Sequence, residues 1–335
     1  MTSRRFQLAG PVAALVLVLS ACAGLSPVTA SRSSSVAEAP TDPATLQPPP
    51  YRRIADIHYA TASPSEVLDL YLPRLPVPRL PLVMYVHGGA WTTGDKSAPE
   101  HAAYLPAILR RGYAFASINY RLTDEATFPA QIQDVKAAVR FMRANAGRYG
   151  LDPIRIAAWG DSSGGQLVSL LGTTAGVARF DDPKLGNPTT SSAVQAVVDW
   201  FGPVNFLTMD RQLARTPGLE PAERHDAATS GESRLVGAPI QSVPGRVRAT
   251  NPITYLTPGR NVSPFLIAHG DLDPVVPVQQ SVAFARALDR FNGVGTARLR
   301  IVAGLGSWKD FDAASEVPMA LAFLDGIFRS PCHEL

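Results

Sequence analysis

Ile154-Arg155-Ile156-Ala157-Ala158-Trp159-Gly160-Asp161-Ser162-Ser163-Gly164 decides the fold. A compact apolar run breaks into Gly-x-Ser-x-Gly, and a helix is expected from Gly164 onward. The strand before and the helix after are the setting that makes this pentapeptide meaningful, because only a sharp strand-to-helix turn needs small residues at both ends. Such a turn lifts the Ser162 hydroxyl clear of a sheet and points a helix N-terminus at an oxygen reacting there. Ser162 is therefore the candidate nucleophile.

Outward from this point, apolar runs alternate with helical periods, the order expected of an α/β chain with a mostly parallel sheet flanked by helices. Ile54 to Thr61 and Val67 to Leu72 read as an antiparallel opening hairpin. Leu82 to Val86 and Tyr113 to Ile118 are compact runs, as strands covered on both faces require. Residues near His101 to Arg111 form a helix between them. Ile132, Val135, Val139 and Met142 lie three and four apart, on one face of a helix between Pro129 and Gly147. Ile154 to Trp159, Val194 to Phe201, Pro264 to Ala268 and Arg298 to Val302 complete the strands, with helices over Val276 to Phe291 and Pro318 to Phe328. The stretch of about 204–250, rich in Arg, Glu, Pro and Gly, breaks the rhythm and is expected to insert as a cap over the site.

His87-Gly88-Gly89-Ala90-Trp91 follows directly on a buried strand. A Gly-rich turn there lets backbone amides converge, so Gly89 and Ala90, with Ser163 behind the nucleophile, can form an oxyanion hole. His87 is expected to brace the loop. Trp91, Trp200 and Phe201 are candidates for an apolar pocket wall, and packing in the core accounts for them equally well.

Taken with His269-Gly270-Asp271-Leu272-Asp273, these motifs resemble the esterase/lipase group of α/β-hydrolases, most closely bacterial feruloyl-esterase-like and hormone-sensitive-lipase-like proteins. The likeness runs from about Ile54 to Phe328. It implies the α/β-hydrolase fold and a small ester or lipid-like substrate. It also implies Asp273 as the acid of a catalytic triad, where a carboxylate orients and stabilises an imidazole; the alternative is a cap for the helix that follows. Asp271 and His269 are expected to be structural.

The chain departs from the group at the base. The resemblance implies a histidine after the last strand, where this sequence has Gly304-Leu305-Gly306-Ser307-Trp308. A serine cannot take a proton as imidazole does, and losing the histidine of a serine protease costs about a million-fold in turnover. The other histidines are His58, His101, His225 and His333. Among these His225, within the cap, is the replacement best placed to overhang a pocket, although a surface position is the commoner fate of such a residue. Lys309 and Asp310 could reach inward but read as solvated loop residues. Two readings follow: a serine ester hydrolase with an impaired or unconventional base, and a non-catalytic surface protein that keeps the fold to bind a lipid, a cell-wall fragment or a protein. A bare elbow that slowly traps an acyl group lies between them.

The N-terminus is the other informative region. Arg4 and Arg5 precede an apolar run from Leu8 to Leu19, too short for a comfortable membrane span, and this is the pattern of a signal peptide over residues 1–21. Leu19-Ser20-Ala21-Cys22 resembles a bacterial lipobox, with Cys22 as the lipid-bearing residue and an exported, membrane-anchored chain as the consequence. Twin-arginine export stays open. Residues 22–50 are Ser-, Ala-, Pro- and Thr-rich, ending in Pro48-Pro49-Pro50, and read as a disordered tether. With Cys22 lipidated, Cys332 has no intrachain partner.

The chain has 335 residues, 46% hydrophobic and 18% charged, enough for one large core after the ends are set aside. Its +3 net charge is not gathered into a basic block, which argues against nucleic acid as a partner. No metal-ligand spacing, nucleotide loop or cofactor signature is present, so no cofactor is expected.

Overall fold

The computed structural model describes residues 50–76, 79–97, 104–306 and 313–329, all within the unit Asp42–Leu335. The signal peptide, Cys22, nearly all of the tether, His101, Ser307, Lys309, Asp310, Cys332 and His333 lie outside the described residues.

Eight strands form one sheet: β1 (Tyr51–His58), β2 (Val67–Pro73), β3 (Leu80–Val86), β4 (Ala114–Ile118), β5 (Leu151–Asp161), β6 (Ala196–Trp200), β7 (Phe265–Gly270) and β8 (Ala297–Val302). Their order is β1-β2-β4-β3-β5-β6-β7-β8. The first two junctions are antiparallel and the other five parallel. The opening hairpin is therefore an antiparallel edge on a parallel sheet, and this is an α/β-hydrolase fold.

The helices are α1 (Leu105–Arg110), α2 (Ala130–Ala144), α3 (Ala146–Tyr149), α4 (Ser163–Thr173), α5 (Met209–Leu213), α6 (Gly231–Val236), α7 (Pro244–Thr250), α8 (Gln279–Asn292) and α9 (Ala313–Phe328). One sheet face packs against α2, α4 and α8, and the other against α1 and α9. In α2, Ile132, Val135, Val139 and Met142 are fully buried, the stripe that their spacing demands. β3 and β4 are buried along their whole length, which is why their sequences run apolar without alternation.

Three readings need correction. β5 begins at Leu151, and Ile154 is 54% exposed rather than a core residue, because the strand slips out of register with β3 between Leu151 and Ile156. The helix expected at His101 starts at Leu105 among the described residues, where Pro106 occupies a first-turn position that lacks an N–H partner anyway. α9 begins before Pro318 and carries that proline in its interior.

Residues 204–250 contribute short helices between β6 and β7. Ser230 caps α6, its hydroxyl accepting from the Ser233 amide at 3.1 Å. Gly231 starts that helix where a β-carbon would lie 2.8 Å from the Ala90 carbonyl, so only glycine lets the segment sit this close to the loop after β3.

Candidate active site

β5 ends at Asp161 and α4 begins at Ser163, leaving Ser162 alone in the turn at φ 51° and ψ −122°. An L-residue enters that region only under constraint. Much of the constraint is Gly164: a β-carbon there would stand 2.0 Å from the Val86 carbonyl, so α4 is seated directly on the end of β3. The Ser162 amide donates to the Trp200 carbonyl at 2.9 Å and its carbonyl accepts from Gln166 at 3.0 Å. Ser162 is half-buried, and its hydroxyl makes no hydrogen bond among the described residues.

Ser162 lines a cavity of about 480 Å³ with Gly89, Ala90, Ser163, Phe201, His225 and Glu232, among others. Of the six described non-glycine residues with positive φ, four line it: Ala90 (51°), Trp91 (60°), Ser162 (51°) and Phe201 (43°). Strain concentrated on one surface makes it the candidate functional surface. The Gly89 and Ala90 amides find no acceptor among the described residues, and Ser163 opens a helix, where an amide has no intrahelical partner. The three amides expected to hold an oxyanion thus share one cavity with Ser162.

The loop that carries them is held from below. His87 is buried, its Nδ1 lies 2.7 Å from the Gly88 carbonyl, and its ring stacks on Tyr120 at 4.5 Å. Trp91 is buried against Phe206 and donates through Nε1 to Gln166 Oε1 at 3.1 Å. Gln166 Nε2 in turn donates to the Thr250 carbonyl at 2.7 Å, tying the nucleophile helix, the loop after β3 and α7 together. Trp91 and Phe201 line the cavity as expected, but Trp200 does not. It lies on the opposite face of the sheet, packed edge-on to Trp159 at 4.9 Å and Tyr104 at 5.7 Å.

Behind Phe201, Asp199 is fully buried and accepts from the Ser169 hydroxyl (2.7 Å) and the Gly202 amide (3.0 Å). Burial raises its pKa to about 6 against the pull of those two donors.

Asp273 is 1% exposed. Its Oδ1 accepts from the Val275 and Val276 amides at 2.8 and 2.9 Å, which pins the carboxylate to its own turn. Its Oδ2 is buried without a hydrogen bond among the described residues, 3.2 Å from His269 Nε2, whose N–H is aimed at the Val276 carbonyl at 2.8 Å. One oxygen fixes the turn and the other is buried beside His269, and Asp273 itself does not line the cavity at Ser162. His269 Nδ1 meets Ser281 Oγ at 2.7 Å, so this ring braces the turn, and Asp271 accepts the Gly304 amide at 2.7 Å.

His225 is not a surface residue. It is 1% exposed and lines the cavity with Ser162. Its Nδ1 lies 2.8 Å from Glu232 Oε1 and its Nε2 lies 2.8 Å from the Val275 carbonyl. Neither neutral tautomer can serve both contacts, since one ring nitrogen would present a lone pair to an oxygen; the imidazolium donates to both. Burial alone would lower its pKa, but the Glu232 carboxylate, with help from the Val275 carbonyl and Asp210, outweighs that and raises it to about 9. His225 is thus already protonated at neutral pH with both nitrogens engaged, and it cannot act as base for Ser162 in this arrangement. His58, on the outer strand β1, is exposed and far along the sheet order from β5.

Glu232 and Glu223 on the cavity wall were not singled out from the sequence. The cue for Glu232 was Ser230-Gly231-Glu232, a helix start with an acid in the first turn. Glu223 left no cue. No group of three metal-ligating side chains occurs among the described residues.

A parallel sheet with a strained serine at the end of its central strand, facing a glycine-rich amide loop, defines an α/β-hydrolase of the esterase/lipase group. The chain belongs to the BD-FAE family, which matches residues 68–288. It is 34% identical over 249 residues to Esterase LipQ of Mycobacterium tuberculosis, covering 72% of this chain and 55% of LipQ. It is 31% identical over 271 residues to Esterase LipC of the same organism, covering 80% of this chain and 64% of LipC. The chain therefore spans between half and two thirds of the length of these relatives. A solved structure of a truncated carbohydrate esterase from gut microbiota superposes with a TM-score of 0.75 at 32% identity, covering 85% of this chain and all of that one.

Proposed function

We propose that this chain is a carboxylic ester hydrolase that works through an acyl-enzyme on Ser162. The observation that carries the reading is Ser162, held at a positive φ with its hydroxyl unpartnered among the described residues, sharing one cavity with the amides of Gly89, Ala90 and Ser163. Attack of Oγ on a substrate carbonyl puts a negative charge on the carbonyl oxygen, and preorganised amides stabilise that charge without reorganising. Collapse breaks the ester C–O bond: the alcohol leaves with the proton given up by Ser162 Oγ and the acyl group stays on Oγ, and a water then attacks the acyl carbon, releasing the carboxylic acid and returning a proton to Oγ. The cavity volume suits a small ester. Trp91 and Phe201 favour an apolar or aryl acyl group.

Asp273 is the acid of this reading, its carboxylate fixed by Val275 and Val276 and its Oδ2 without a hydrogen bond among the described residues. The base is the weak point. The family position holds Ser307, and His225 is committed to Glu232 and Val275. Turnover is expected to be slow, resting on the oxyanion amides and substrate binding, which by themselves retain roughly a thousand-fold over water. Ser307 also favours a second reading, a surface protein that binds a lipid, a cell-wall fragment or a protein in the same cavity without turning it over.

Short-chain p-nitrophenyl esters separate the two. Hydrolysis that vanishes in Ser162→Ala establishes the esterase. Hydrolysis no faster than that control, together with strong activity gained in Ser307→His, supports the binding reading.

The sequence of residues 1–50 supports export, and lipid attachment at Cys22 on the outer face of the membrane, as part of the same proposal. Cys22→Ala should move the chain from the membrane fraction to the soluble one. Retention in the membrane fraction would refute anchoring through that residue.

A further inference from the structure

Asp56, at φ 53°, is one of the two described non-glycine residues with positive φ that do not line the Ser162 cavity. It sits in β1 where the pairing with β2 shifts register between Ile54 and Ile57. A bulge of this kind re-aims a side chain. Here it brings the Asp56 amide to Asp69 Oδ1 at 2.9 Å and the Asp56 carboxylate to Lys96 Nζ at 2.8 Å.

Lys96 closes the loop that His87 opens. It is 7% exposed, and its Nζ also meets the fully buried Asp69 at 3.0 Å, while Arg53 holds the other Asp69 oxygen at 2.6 Å. Burial pulls the Lys96 pKa down, but the bonds to Asp56 and Asp69 outweigh it and leave it raised. Burial likewise pushes Asp69 up, and Arg53, the Asp56 amide and Lys96 together outweigh that. The cluster therefore stays charged. The Lys96 amide donates to Asn119 Oδ1, and Asn119 Nδ2 donates to Asp95 Oδ2 at 2.7 Å. The far end of the loop is thus fixed to β1, to β2 and to the residue that follows β4.

Between these two ends the chain is folded tightly. The amides of Thr92 and Thr93 both donate to the Gly89 carbonyl, at 3.0 and 3.1 Å. Gly94 packs on the His87 ring, where a β-carbon would stand 2.2 Å from Nδ1. Across the planar trans peptide from Gly89 to Ala90 the carbonyl and the N–H point in opposite directions, so the bonds that hold the Gly89 carbonyl also aim the Ala90 N–H.

We propose that Lys96 is a positioning residue for the oxyanion loop: its ion pairs with Asp56 and Asp69 hold the turn from Gly89 to Thr93, and with it the Gly89 and Ala90 amides, in place on the Ser162 cavity. The proposal rests on the reading of these amides as oxyanion donors. Lys96, Asp56 and Asp69 do not line that cavity, so they act through the loop. Donors of this kind lose their effect steeply with small displacements.

The test uses the full chain, held in mild detergent, and diethyl p-nitrophenyl phosphate, which loses p-nitrophenolate as Ser162 Oγ bonds to phosphorus. That leaving group needs no proton, so variants that keep Ser162 differ by how well the amides hold the phosphoryl oxygen. Lys96→Met should lower the saturating rate about tenfold, with half-saturation changed by less than about twofold. Lys96→Arg keeps the charge and should recover the rate to within about threefold of the parent. Asp56→Gly removes one carboxylate at a backbone angle that glycine accepts, and should lower the rate about threefold with the fold retained. Where Lys96→Met fails to fold, this variant decides. In NMR, the Gly89 and Ala90 amide resonances should move in Lys96→Met and return in Lys96→Arg. Unmoved resonances, a Lys96→Met rate within about twofold of the parent, or a Lys96→Arg rate no better than that of Lys96→Met would overturn the proposal. A parent that neither reacts with the phosphate nor hydrolyses p-nitrophenyl esters faster than Ser162→Ala would sink the esterase reading instead, and the two amide resonances would then decide on Lys96 by themselves.

Discussion

The cavity at Ser162 has two walls made on different principles. The wall at the strand ends, with Gly89, Ala90, Ser162 and Phe201, is shaped by sterics: forced backbone angles and a glycine contact hold amides and hydroxyl in place. The facing wall, with His225, Glu232, Val275 and Val276, is shaped by charge. An imidazolium from the inserted segment clasps the carbonyl of Val275, and Asp273 holds the amide of the same residue. A steric wall has no dependence on pH and does not tolerate added atoms. An electrostatic wall tolerates shape changes but answers to every change of charge.

Gly164→Val tests the steric wall and should have the largest effect. Its side chain would meet the Val86 carbonyl, with an expected loss of about 3–4 kcal/mol in urea unfolding at any pH. A loss under about 1 kcal/mol would mean that α4 is free to shift on β3.

Glu232→Gln tests the facing wall. It strands a buried imidazolium, so the expected cost is about 3 kcal/mol at pH 7. The sign is fixed by linkage: the His225 pKa is raised from 6.5 to about 9, so the pair's contribution is complete below about pH 6.5 and is lost as pH rises through 9. The variant should flatten the parent's alkaline decline in stability, and the His225 resonance should titrate at lower pH in NMR. An unchanged titration would show that Glu232 does not set the charge.

Asp199→Asn reaches behind the steric wall with a charge probe. Because burial raises this carboxyl to about 6, the parent should lose on the order of 2 kcal/mol as pH rises from about 4 through 6. The amide can accept from Gly202 and donate to Ser169, so the variant's stability should be flat over that window. A parent profile already flat there would remove Asp199 from the account. The smallest effect is expected for Asp273→Asn, where the side-chain oxygen still accepts from Val275 and Val276 but the new amide N–H groups are buried beside His269 without an acceptor. Unfolding should cost about 1 kcal/mol. A larger loss would mean that the Asp273 charge itself supports the turn.

The same division explains what could be read in the sequence. The steric wall was legible because its constraints are local: Gly160, Ser162 and Gly164 are consecutive in one turn, and Gly88, Gly89 and Ala90 in another. The strands were legible for the same reason, although Ile154 shows that an apolar residue at a register irregularity need not be covered. Trp200 and Phe201 were indistinguishable in the sequence, since β6 is buried on both faces and alternation leaves no trace. The charged wall was not legible. His225 and Glu232 are brought together only by the path of the inserted segment, and their meeting with Val275 joins positions 50 residues apart. Nothing local tells a histidine on a loop that it will be buried beside a carboxylate.

Because α4 is seated on the last carbonyl of β3, and β3 runs straight into His87 and the amide loop, the Ser162 turn and that loop form a single casting. They cannot be retuned separately for a bulkier acyl group. Adaptation to a new substrate must come from the inserted segment, which can be lengthened, shortened or exchanged while the sheet beneath it stays as it is. An engineer seeking a wider cavity should leave residues 86–91 and 160–166 untouched and build the library in residues 205–250.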